Sequence, residues 1–179
     1  METGNPHRRR PTVFRNRSPY PSQELIGLIR LAWGELETGP VEFEVSVTSR
    51  FVYDGRAMTA RFHDGTVAWR KVRLWIGSPR RFPETVTSPY LGLRGAPVGH
   101  GFPSWREGFV FIAGHELAHC EQQFKGLPIN EVDAEWSGVE ALRRYQRRDP
   151  RCLQPGFGGK AKGVRPSGTC LPVDKVWAW

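Results

Sequence analysis

The chain is short of several things that would each have marked out a class of protein. No apolar run among its 179 residues approaches the roughly 20 needed for a membrane-crossing helix, which argues against a membrane partner. Its first residues carry Arg8-Arg9-Arg10 and Pro6, Pro11, Pro19 and Pro21, without the apolar stretch of a secretion signal. A soluble, cytoplasmic protein is expected. Cysteine is scarce, and Cys120, Cys152 and Cys170 contain no C-x-x-C pair, so free thiols in a reducing compartment are expected. A Cys152–Cys170 bridge or a metal site in the tail is the alternative. Histidine is scarce too, at five residues.

What is present suits one globular domain with appendages, large enough to bury a core without staples. The net charge of +8 is unevenly spread. Residues 1–17 hold five Arg against Glu2, and residues 143–165 hold eight basic residues against Asp149, which leaves the remainder net negative. Three segments follow: a Pro/Arg-rich arm over 1–21, a folded domain over 22–149 and a basic Gly/Pro-rich tail over 150–179. Basic arms of this kind bind nucleic acid or an acidic partner without sequence preference, or simply solubilise.

Within the domain, Ser22 is placed to cap a helix over about 23–37, with Leu25, Ile29, Ala32 or Trp33, and Leu36 at helical spacing and Thr38-Gly39-Pro40 as its stop. The period then changes to two. Val41, Phe43, Val45 and Val47 alternate with polar residues, and Ala57–Phe62 and Lys71–Ile76 read as further strands. Asp54-Gly55 and Asp64-Gly65 are hairpin dipeptides. An α+β fold with three or four mainly antiparallel strands is therefore expected. Residues 77–103, with five Pro and five Gly, read as a long loop in which His100 is a surface histidine.

Ser104-Trp105-Arg106-Glu107 is a capping box that starts a helix at about 105, and Gly126 is its C-terminal stop. Phe109, Val110, Phe111, Ile112 and Leu117 point in nearly every direction around it, so burial on most sides is expected. This helix carries His115-Glu116-Leu117-Ala118-His119. Histidines four apart project from one helical face and can share a metal ion. Glu116 lies about 100° further round, where a carboxylate reaches a metal-held water without being a ligand.

Two histidines need a third protein ligand to hold a zinc ion and leave a position open for water. No histidine follows His119, so carboxylates beyond Gly126-Leu127-Pro128 are the candidates. On a helix counted from Glu131 at 0°, Asp133 and Glu140 fall on a polar face with Arg144, Arg147 and Arg148. Glu131 and Glu135, at 0° and about 40°, fall in the apolar arc with Val132, Ala134, Trp136, Val139 and Leu142. Buried carboxylates need cationic or donor partners, and a metal ion with its histidines would supply both. This geometry leaves Glu131 and Glu135 both open as the ligand.

The pair of motifs, H-E-x-x-H at 115–119 and Glu131-Val132-Asp133-Ala134-Glu135, resembles the gluzincin-type zinc metallopeptidases, in particular the small ones related to phage- and plasmid-associated peptidases. The resemblance covers about residues 105–145. It implies a small zincin-like domain holding one Zn2+ ion through His115, His119 and Glu131, with Glu116 as general base and a protein or peptide as substrate. Glu135 stands where that family often has an acidic residue that orients a ligand histidine. Tyr145, Arg73 and His100 are candidates to stabilise the oxyanion, and the strand around Arg73–Ile76 to offer its edge to an extended peptide. A different reading makes the protein a nucleic-acid-associated binder with a structural or inactive zinc site, acting through the Arg clusters at 8–10 and 143–148.

Overall fold

A computed structural model describes residues 13–50, 52–88 and 98–148. The order of elements is β1 (Phe14–Asn16), α1 (Ser22–Trp33), β2 (Glu42–Thr48), β3 (Tyr53–Arg61), β4 (Val67–Gly77), β5 (Glu84–Ser88), β6 (Val98–Phe102), α2 (Trp105–Lys125) and α3 (Glu131–Arg148), with one 3-10 turn at Pro79–Arg81. The fold is α+β, as expected. Four strands form one sheet in the order β1-β2-β4-β3, and β5 and β6 form a separate hairpin.

The expectation of a mainly antiparallel sheet is wrong. β1 and β2 pair in parallel, β2 and β4 pair in parallel, and only β3 and β4 are antiparallel. The period-two pattern reports that one face of a strand is wet, and says nothing of strand direction. A helix crossover, β1-α1-β2, is what makes the first pair parallel. Residues 13–21, expected in a loose arm, include β1 and Tyr20, whose hydroxyl donates to the Gly77 carbonyl at 2.8 Å. Residues 1–12 and the tail from 149 onward, with Arg8–Arg10, Cys152 and Cys170, lie outside the described residues.

Other boundaries move for local reasons. Pro21 holds the N-cap position of α1 rather than Ser22, and Gly34, at φ 54°, ends the helix before Thr38 is reached. Asp54-Gly55 lies inside β3 and makes no turn, whereas Asp64-Gly65 does turn the β3–β4 hairpin, with Gly65 at φ 83°. Strand β4 is flanked by β2 and β3 and has no edge to offer; among the described residues the unpaired edge near α2 belongs to β3. The expected loop over 77–103 contains the β5–β6 hairpin. Gly99 and Gly101 dilute the strand pattern of β6, which is why periodicity missed it.

Val41, Phe43, Val45, Val72, Leu74 and Ile76 bury the inner face of the sheet against α1 and α2. Each of these side chains contributes about 1.5–3 kcal/mol on leaving water. The capping box of α2 is formed, with Ser104 N–H donating to Glu107 Oε2 at 2.9 Å, and Gly126 closes the helix in the left-handed region at φ 69°. α2 is buried on nearly all sides, as its sequence predicts. α3 packs along it at very short range: a Cβ on Gly114 would lie 2.7 Å from Ala141 Cβ, and one on Gly138 would lie 2.9 Å from the Phe111 carbonyl oxygen. Within the Arg cluster, Arg144 donates to the Leu31 and Ala32 carbonyls at the end of α1, so part of that charge has a structural use. No helix among the described residues is long and apolar enough to cross a membrane.

Candidate metal centre

Helical spacing sets His115 and His119 on one face of α2, and the short Gly126-Leu127-Pro128 connection brings the start of α3 back over that face. Asn130 caps α3 by accepting hydrogen bonds at Oδ1 from the Val132 and Asp133 N–H groups. Glu131 is therefore the first helical residue and turns toward the histidines. His115 Nε2 and His119 Nε2 are 3.2 Å apart, and Glu131 Oε2 lies 3.3 Å from the first and 3.4 Å from the second.

The other nitrogen of each ring is also engaged. His115 Nδ1 lies 3.2 Å from Glu135 Oε2, and His119 Nδ1 lies 3.0 Å from Gln122 Oε1. Each Nδ1 that donates leaves its Nε2 with a lone pair, so three acceptors converge on one point. Such a set can hold a cation at its centre. Zinc fits it: ligand atoms about 2.0–2.1 Å from a tetrahedral ion sit about 3.3 Å from one another. Glu131, with 43% of its side chain exposed, leaves the centre open to solvent, while the histidines are nearly covered.

Glu131 is thus less buried than its place in the apolar arc implied, because the packed part of α3 begins only at Ala134. Glu135 is buried, and it sits behind His115 rather than in front of the Nε2 pair. Asp133 is exposed, as expected. Burial, the largest single influence, would raise the pKa of Glu135, but hydrogen bonds from His115 and Ser88 and the charges of His115 and His100 leave it lowered. Burial likewise pulls His115 down, yet Glu135, Glu116 and Glu131 together leave its pKa raised in the metal-free protein.

Glu116 is buried beside β3 and accepts a hydrogen bond from the Ala57 N–H. Burial pushes its pKa up to about 7, with His115 pulling the other way. A carboxyl poised there suits proton transfer near neutrality. Gly55 makes room for it, since a Cβ at that position would lie 2.5 Å from Glu116 Cγ. That close approach explains a glycine inside a strand.

Two of the three oxyanion candidates lie elsewhere. Tyr145 belongs to the main core cluster and is fourteen residues, or about 21 Å of helix, beyond Glu131. Arg73 is on the outer face of the sheet beside Glu44. His100 is not a surface histidine; its Nε2 is buried 3.7 Å from Glu135 Oε1, and burial lowers its pKa. Reading the sequence missed Gln122, Asn130, Ser88 and Gly55. Only Gln122 carried a signal, since i+3 from His119 is the same helical face. No family model, curated protein or solved structure matches the chain.

Proposed function

We propose that the protein is a zinc-dependent metallopeptidase of zincin type, in which His115, His119 and Glu131 hold one zinc ion and Glu116 is the general base. The observation that carries this reading is the convergence of three lone-pair-bearing atoms at 3.2–3.4 Å with the buried Glu116 carboxyl beside them. Zinc bound to two imidazoles and a carboxylate supplies Lewis acidity, polarising a carbonyl and bringing the pKa of water toward neutrality.

The chain's own groups divide the remaining work. Glu116 accepts a proton from the attacking water and delivers it to the departing amine. Ala57 N–H holds the Glu116 carboxylate in place, and Glu135 orients His115 from behind. The free edge of β3, running beside Glu116, offers backbone groups to an extended peptide substrate.

Metal analysis of the purified protein together with hydrolysis of a peptide library tests the proposal. One zinc per chain and turnover are expected in the wild type, with zinc retained and turnover lost in Glu116→Gln. Undiminished turnover in Glu116→Gln would remove the proposed base, and absence of bound zinc would remove the centre.

A further inference from the structure

The geometry points to Gln122 as a positioning residue that sets the tautomer of His119 and, through the same amide, seats the loop that delivers Glu131. The inference rests on His115, His119 and Glu131 being the metal site.

Gln122 is 7% exposed, and its amide makes three contacts. Nε2 donates to the Asn130 carbonyl at 3.1 Å. Oε1 accepts from the Asn130 N–H at 3.2 Å and faces His119 Nδ1 at 3.0 Å. The backbone of Asn130 therefore decides which way the amide points. A flipped amide would set its NH2 against the Asn130 N–H and its oxygen against the Asn130 carbonyl, replacing two attractions by two repulsions. With the orientation fixed, the atom facing His119 is an oxygen that can only accept. His119 must then carry its proton on Nδ1, which leaves the Nε2 lone pair aimed at His115 Nε2 and Glu131.

The two bonds to Asn130 have a second effect. Asn130 immediately precedes Glu131 and caps α3 with its side chain, so the position of the carboxylate is tied to the residue that orients the histidine. His115 is braced by the ionised Glu135, whereas His119 is braced by a neutral amide whose direction depends on the loop between the helices. If that loop detaches, His119 loses its brace and Glu131 its seat together.

The first test needs no variant. Two-bond proton–nitrogen correlation spectra of the metal-free wild type, recorded above the imidazole pKa, should show His119 as the Nδ1–H tautomer; the Nε2–H tautomer would overturn the inference. The second compares Gln122→Met with Gln122→Glu by chelator competition for zinc, the visible spectrum of the cobalt-substituted protein and metal-free thermal unfolding. Gln122→Met should weaken zinc binding roughly 10–100-fold and alter the cobalt spectrum. Gln122→Glu keeps an acceptor opposite Nδ1 and should recover most of that loss, although it forfeits the donor to Asn130. Equal zinc affinity in both variants and wild type, while His115→Ala loses zinc, would reject the role of Gln122 alone. Retention of zinc by His115→Ala would reject the site on which the inference rests.

Discussion

Glu44 and Glu116 sit on opposite faces of the same sheet, with 8% and 5% of their surface exposed, and their pKa values move in opposite directions. Glu44 is covered only by long side chains on the outer face. Lys71 Nζ lies 2.6 Å from its Oε2, with Arg17 and Arg73 close by, and the hydrogen bond from Lys71 lowers its pKa. Glu116 lies deeper, against β3 and α2, where burial raises it to about 7. Similar exposure hides a difference in depth first, and in partner second. A carboxylate whose cation is built into the chain stays ionised; one buried without a full cation keeps its proton up to near neutrality.

The same contrast runs along α3, and its largest test is there. Glu131→Ala should weaken zinc binding by more than the ~100-fold typical of losing a residue behind a ligand, while Asp133→Ala leaves it unchanged in chelator competition. Zinc loss from Asp133→Ala instead would break the distinction. Next in size, Gly55→Ala forces a methyl group onto Glu116 Cγ without touching a ligand. Turnover should fall by roughly 100-fold, as expected of a displacement near 1 Å, with zinc content intact.

A smaller effect concerns stability of the metal-free protein. The raised pKa of Glu116 means that the folded state binds this proton more tightly than the unfolded chain does. Stability is therefore full below the unfolded value near 4.5 and falls as pH rises through about 7. Glu116→Gln should raise the melting temperature above neutrality, by an amount equivalent to at most ~3 kcal/mol, and do little in acid. No pH dependence of that gain would show that Glu116 has a cation after all. The smallest effect belongs to the outer face. Lys71→Ala should cost about 1 kcal/mol in urea unfolding, because Arg17 and Arg73 remain beside Glu44. Because Glu44 is lowered, its contribution is present above the unfolded carboxyl pKa and lost as pH falls, so the variant should lose part of the acid sensitivity.

What could be read from the residues was local. The capping box, Gly126 and the encircling apolar residues defined α2, and the same-face histidines followed from helix geometry alone. Strand direction could not be read, because alternation in β2 and β4 records burial, and the chain between strands decides pairing. Asp54-Gly55 misled because its glycine serves a close approach by Glu116 from a helix some sixty residues later. Non-local pairing hid His100 as well: only the β5–β6 hairpin carries it to Glu135. The positions of Glu131 and Glu135 around α3 were legible, but their unequal exposure was not, since it depends on where the helix starts to pack.

If the proposed centre takes up zinc, the facing glycines, Gly114 and Gly138, set the order of events. They let α2 and α3 meet backbone to backbone, and only in that docked arrangement does Glu131 arrive opposite the two imidazoles. An undocked α2 offers a bidentate pair and nothing more. Capture at full affinity then cannot outrun helix docking, so rapid mixing with excess zinc should reach a rate plateau that no longer rises with concentration. That plateau would time the closing of two helices, using the ion as its clock.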